Sequence, residues 1–194
     1  MTVATRNSSR IKITIKPPKL ADYQKAFLNC PQRFSVVEAS TKTGKTFSHI
    51  YWLFRLAHGL DPIWYTDNVK PGQNYWWVAP VYSQAKIAFA RMKRHILNAP
   101  GYKFNNSDLA ITTPKGTIIS FKSADTPDNL YGEDVYGVVF DEFTRAKQAA
   151  WFALRSTVTF TKAPVKFIGN YTGQSNWGHK LTNKAKTLPT EYAA

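Results

Sequence analysis

Gly44, Lys45 and Thr46 close the run A-S-T-K-T-G-K-T at residues 39–46. These residue types at this spacing match the phosphate-binding loop G-x-x-x-x-G-K-[ST], with Ala39 in place of the first glycine. Gly44 lets the backbone turn so that successive N–H groups face a phosphate. Lys45 sets a cation against β- and γ-phosphate oxygens, and Thr46 offers Mg2+ a hydroxyl at a helix N-terminus. Ser40, Thr41, Lys42 and Thr43 complete the expected nucleotide-binding loop. The methyl group of Ala39 resists positive φ, so the loop requires ordinary backbone angles there. A degenerate loop that binds nothing is the other reading of the same residues.

Asp141 and Glu142 end the run V-Y-G-V-V-F-D-E at residues 135–142. A strand apolar on consecutive residues is buried on both faces, as in a parallel sheet, and such sheets bind ligands at their C-terminal ends. Asp141 is expected to hold Mg2+ through water, and Glu142 to orient and deprotonate the water that attacks a γ-phosphate. An ordinary acidic strand end is the bland alternative. A phosphate loop followed by an acidic strand end, in that order, reads as a Mg2+-dependent ATP hydrolase.

Asn170 ends a further strand-like run, V-K-F-I-G-N, and is expected level with Asp141. There it would touch both the γ-phosphate and a DNA-contacting segment, so that phosphate loss is felt mechanically; capping the next turn is the alternative. Gln24, in a short helix at 20–29, lies upstream of the loop where many nucleic-acid-dependent ATPases place an adenine-reading glutamine. An exposed polar helix residue is its bland reading.

The elements that must position these side chains alternate between apolar strands and helical patterns. A helix at 45–59 is apolar almost all round and so belongs under a sheet, with His49 and His58 structural. A loop at 60–73 precedes an aromatic strand at 74–80. A helix at 82–98 repeats Ala85, Phe89, Met92 and Ile96 at three- and four-residue spacing and leaves Lys86, Lys93 and Arg94 on a basic face, either solvated or against a phosphate backbone. Residues 109–122 form two alternating runs around Pro114-Lys115-Gly116, a hairpin signal. A helix is expected at 147–158 and a short basic helix at 177–184, followed by a weakly patterned end. Residues 1–19 carry five basic residues and no acid, with strand-like alternation over 11–16, and read as a basic arm before a single domain at 20–194.

Lys plus Arg number 26 against 12 Asp plus Glu, a net charge of +14 whose simplest partner is a polyanion such as nucleic acid. The single cysteine, Cys30, excludes an intrachain disulfide framework and a cysteine zinc site, and no apolar run reaches membrane-spanning length.

With A-S-T-K-T-G-K-T, A-P-V-Y-S-Q-A-K, D-N-L-Y-G-E-D-V-Y-G-V-V-F-D-E and F-I-G-N-Y-T-G in this order, the chain resembles the ATPase domain of the large terminase subunit of tailed bacteriophages over about residues 23–184. The resemblance implies an α/β P-loop NTPase fold of the RecA/ASCE-like kind, with a central, mainly parallel β-sheet flanked by helices and bearing a β-hairpin. It implies a motor that assembles as a ring on the portal protein of a procapsid, with a small terminase subunit, in the host cell cytoplasm, and drives double-stranded DNA inward at the expense of ATP. Carried over by position, Lys45, Thr46, Asp141, Glu142 and Asn170 take the roles above, and Gln24 the adenine contact. Tyr131 stands where relatives often have an arginine, and Asn170-Tyr171 where Thr-Pro is often seen. Lys42, Arg91, Arg94, Arg145 and Arg155 are the candidates for an arginine-finger charge. Beyond Glu142 the only acid is Glu191, so no nuclease metal cluster is expected in this chain. The alternatives are a helicase-like or remodelling DNA-dependent ATPase, and a basic DNA-binding module with a vestigial P-loop.

Overall fold

The computed structural model describes residues 2–7, 10–15, 17–64, 68–187 and 192–193. Strands β1 (Thr2–Asn7) and β2 (Arg10–Ile15) pair antiparallel as a two-stranded sheet of their own. The alternation read over 11–16 is thus a strand through Ile15; Lys16 lies outside the described residues. The main chain path is α1 (Asp22–Leu28), β3 (Phe34–Glu38), α2 (Lys45–Ala57), β4 (Asn74–Ala79), α3 (Tyr82–Ile96), β5 (Lys103–Asn105), β6 (Ala110–Thr112), β7 (Ile118–Ser123), β8 (Val135–Asp141), α4 (Gln148–Thr157), β9 (Val165–Gly169), α5 (Trp177–Thr187) and β10 (Tyr192–Ala193).

Eight of these strands form one sheet in the order β10-β3-β9-β8-β4-β7-β6-β5. All neighbours are parallel except β7-β6 and β6-β5, the antiparallel edge. The hairpin expected at 109–122 is β6-β7, and it extends the sheet edge. Two pairings were not legible in the sequence. The three-residue β5 is too short to show alternation, and the weakly patterned C-terminus supplies β10, which lies parallel to β3.

Side-chain alternation divides the core into two layers. Phe34, Val36, Trp76, Val78, Val138, Phe140, Val165 and Phe167 face α4 and α5 on one side of the sheet. Tyr75, Trp77, Ala79, Val139 and Ile168 face α2 and α3 on the other. The central strand β4 buries Tyr75, Trp76 and Trp77 completely, at roughly 2–3 kcal/mol of transfer free energy per side chain. Consecutive apolar residues are what a strand covered on both faces requires.

Lys166 is the exception in that core. It is 1% exposed on β9, pointing toward α1 and α2, where its ammonium donates to Phe27 O (3.0 Å) and Ser35 Oγ (3.2 Å) and lies 5.0 Å from the Trp52 ring centroid. The bond to Phe27 O holds the C-terminal end of α1 on the sheet. Burial pushes the Lys166 pKa down to about 8 from the ordinary 10.5. The unfolded chain then binds the proton more tightly than the folded one, so stability rises with pH between about 8 and 10.5 on account of this group. Lys166→Met, which leaves Phe27 O its bond from Cys30 N–H, is expected to unfold at the same or higher denaturant concentration at pH 7 and to lose the part of the pH 8–10 rise that wild type shows. A loss of several kcal/mol at pH 7 contradicts this account.

Candidate nucleotide site

The strand register brings the two chemical landmarks to one level. Val37 of β3 pairs with Ile168 of β9, and Ile168 pairs with Asp141 of β8. The loop after β3 therefore begins at Ala39, two residues past the level at which the acidic strand ends. Asp141 shares the face of Val139, so its carboxylate is directed to the α2 and α3 layer, the side on which the loop enters α2.

The loop is built as its residue types demand. Gly44 has φ +78° and Lys42 φ +65°, whereas Ala39 is absent from the positive-φ residues, so alanine at the strand exit is compatible with the loop. Ala39 N–H donates to Gly169 O (3.1 Å), which continues the β3-β9 ladder past the last paired residue. A Cβ at Gly44 would lie 2.5 Å from Gln24 Nε2. Glycine is therefore favoured there by its φ, and a larger residue would also have to displace the flexible end of the Gln24 side chain.

Lys45 donates from one ammonium to Ala39 O (2.6 Å), Ser40 O (2.8 Å) and Asn170 Oδ1 (3.0 Å). Burial holds its pKa below the ordinary lysine value, while the charges of Glu142 and Asp141 oppose that shift. Asn170 Nδ2 donates to both Glu142 carboxylate oxygens at 3.2 Å, and Thr144 Oγ1 donates to Asn170 O (2.9 Å). Asn170 thus joins Lys45 to the acidic strand end. Its place differs from the expectation: Ile168 is level with Asp141, Asn170 lies two residues beyond, and its partner is Glu142. Strand β9 ends at Gly169, so Asn170 is already on the way into the following turn and reaches past the strand tip.

Glu142 has φ +46° and ψ +39°, a left-handed conformation at a non-glycine residue, between β8 and a 3-10 turn at Phe143–Arg145. Such backbone strain, of order 1 kcal/mol, is characteristic of functional positions. Asp141 is 8% exposed, and burial, with the neighbouring Glu142 charge, pushes its pKa up to about 7 against the lowering effects of the Glu142 backbone, Lys45 and Arg91. Among the arginine-finger candidates, Arg91 on α3 is thereby the one whose charge is felt at Asp141. Arg94, Arg145 and Arg155 are exposed on α3, the 3-10 turn and α4.

The donor set suits Mg2+, a hard cation that takes hydroxyl and carboxylate oxygens and keeps several waters. Thr46 stands in the first turn of α2 and Asp141 ends β8. Among the described residues no group of three or more His, Cys, Asp or Glu forms a self-sufficient metal cluster.

Gln24 Nε2 and Tyr23 OH both donate to Thr43 O, at 3.1 and 2.8 Å, so α1 is fastened directly to the loop. Thr43 Oγ1 donates back to Ser40 O (3.0 Å), and Thr41 is exposed. Tyr23, Thr144 and the pair His179 Nδ1–Glu38 Oε2 (2.9 Å), which fixes α5 to the last residue of β3, are structural partners of the site that sequence reading missed. Tyr23 is adjacent to Gln24, but Thr144, Glu38 and His179 carry no spacing signal. His49 and His58 are structural, as expected: burial drives them to about 3 and about 4, and each Nδ1 bonds a helix carbonyl, Lys45 O (2.7 Å) and Phe54 O (2.6 Å).

Gly44→Ala is expected to destabilise the fold by about 1–3 kcal/mol through left-handed strain and the Gln24 contact. Gly44→Ala combined with Gln24→Ala should recover the contact share and leave the strain, as read by urea denaturation. Equal stability of wild type and Gly44→Ala contradicts the loop geometry.

No family model and no curated protein matches the chain. Solved structures do. The ATPase domain of the large terminase of Thermus phage P74-26 matches with a TM-score of 0.68 and 22% identity, over 84% of this chain and 69% of that one. The large terminase of bacteriophage HK97 matches with a TM-score of 0.75 and 16% identity, over 92% and 39%. The large terminase of a thermophilic bacteriophage, in complex with ADP, matches with a TM-score of 0.67 and 17% identity, over 90% and 44%. The chain spans less than half the length of the latter two proteins. It has the fold of the large-terminase ATPase domain, a P-loop NTPase fold.

Proposed function

We propose that this chain is the ATPase domain of a viral DNA-packaging motor, hydrolysing ATP to translocate double-stranded DNA into a procapsid. The observation that carries the reading is the Lys45–Asn170–Glu142 chain of hydrogen bonds at the C-terminal edge of a terminase-type sheet. Large-terminase neighbours solved with ADP and with ATP-γ-S support a nucleotide ligand of the same class.

In this reading the backbone N–H groups of residues 40–46 and the Lys45 ammonium bind the β- and γ-phosphates, and Gln24 with Tyr23 borders the adenine. Thr46 and Asp141 would hold Mg2+, which when bound would supply positive charge against the phosphate oxygens. Glu142 orients the attacking water and takes its proton. Asn170, bonded to Glu142 and to Lys45, registers the γ-phosphate and transmits its loss along the turn that leads to α5. The net charge of +14 serves DNA, and the portal protein, a small terminase subunit and neighbouring copies in a ring are the assembly partners, in the host cytoplasm and at the procapsid. No helix among the described residues is long and apolar enough to cross a membrane.

Calorimetry with Mg2+-ATP, followed by phosphate release in the same samples, tests this reading. Lys45→Ala should weaken nucleotide binding by about tenfold or more, and Glu142→Ala should bind ATP yet lose hydrolysis by about 100-fold or more. Tight, salt-sensitive DNA binding with no nucleotide binding by wild type would instead make this a DNA-binding module with a vestigial loop.

A further inference from the structure

A groove of about 390 Å³ runs along α3. Its floor is apolar, made by Phe89, Ala90, Leu97 and Leu109, and its rim is cationic, made by Lys86, Lys93 and Arg94. On α3, residues 86, 90 and 93 recur at four- and three-residue steps, and Leu97, which follows the last helical residue in helical geometry, continues them as one stripe about 16 Å long. The turn after β5 walls the other side. Lys93 Nζ donates to Asn106 Oδ1 (2.9 Å) and lies over the Phe104 ring, which fixes that wall against the helix. Asp108, the acid of the turn, accepts from Asn105 Nδ2 (2.6 Å). Lys86 and Arg94 have no acidic partner among the described residues, and Leu97 is 55% exposed at the end of the stripe.

From this arrangement we infer that the α3 groove is a docking site for an acidic, amphipathic segment of a partner protein. Apolar side chains of the segment enter the floor, and its carboxylates meet Lys86 and Arg94. Charge complementarity selects the acidic partner. The apolar floor gives nothing to a phosphate backbone, and a DNA duplex, about 20 Å across with grooves of its own, is too broad to enter a cleft that holds a few side chains. A segment of about three helical turns matches the stripe in length. The inference is independent of the nucleotide reading, and its test needs no nucleotide.

The probe is a fluorescein-labelled synthetic helix of about 15 residues with leucines on one face and glutamates elsewhere. Its control replaces the leucines by serine at equal charge. Fluorescence polarisation should show binding of the leucine peptide and at least about tenfold weaker binding of the control. Leu97→Asp and Lys86→Glu should each weaken the leucine peptide by about tenfold or more, with unchanged thermal midpoints because both side chains are exposed. Unlabelled duplex DNA should not displace the peptide. Equal binding of both peptides, wild-type affinity in both variants, or displacement by DNA would overturn the proposal, the last marking the groove as a nucleic-acid surface.

Discussion

The Lys45 ammonium is the group on which the geometry of the site depends. It is partly removed from water, and a desolvated cation requires oxygen partners. Two of its three come from the carbonyls at the start of its own loop and the third from Asn170, just past the end of β9. The same amide of Asn170 binds Glu142 through its nitrogen. One ammonium thus couples the exit of β3, the tip of β9 and the end of β8, three neighbouring strands in the sheet. An asparagine suits the middle position because it offers an acceptor to the lysine and a donor to the carboxylate on one short, rigid side chain.

The rest of the fold holds these three strand ends in place. Parallel pairing with covered faces fixes their register, since a slip of one residue would turn Asp141 and Ile168 into the other layer. From below, Lys166 ties α1 to the sheet, and α1 in turn ties Tyr23 and Gln24 to the loop carbonyl of Thr43. From the other face, His179 on α5 binds Glu38 at the last position before the loop. The loop at 39–46, the acidic strand end and the C-terminal helix are therefore parts of one bonded unit.

The chemistry-bearing landmarks were legible because they are local. The loop spacing, the apolar run ending in Asp141-Glu142 and the helical stripe of α3 each lie within one stretch of chain, and the parallel sheet follows from strands apolar on consecutive residues. What escaped is set by tertiary pairing. Nothing in the sequence separates Asn170 level with Asp141 from Asn170 two residues beyond, because register across β8 and β9 is fixed by packing rather than by spacing. The buried Lys166 breaks the apolar pattern of β9 and only the structure supplies its partners. β10 and β5 are too short to carry a periodicity of their own.

The most direct test of the central claim is a structure of this chain with Mg2+ and ATP-γ-S. The triphosphate should lie over residues 40–46, with Lys45 Nζ moved from the Ala39 and Ser40 carbonyls onto phosphate oxygens, the metal held by Thr46 and Asp141, and Asn170 still bonded to Glu142. A nucleotide bound elsewhere, or Lys45 unmoved on its loop carbonyls with nucleotide present at saturation, would contradict it.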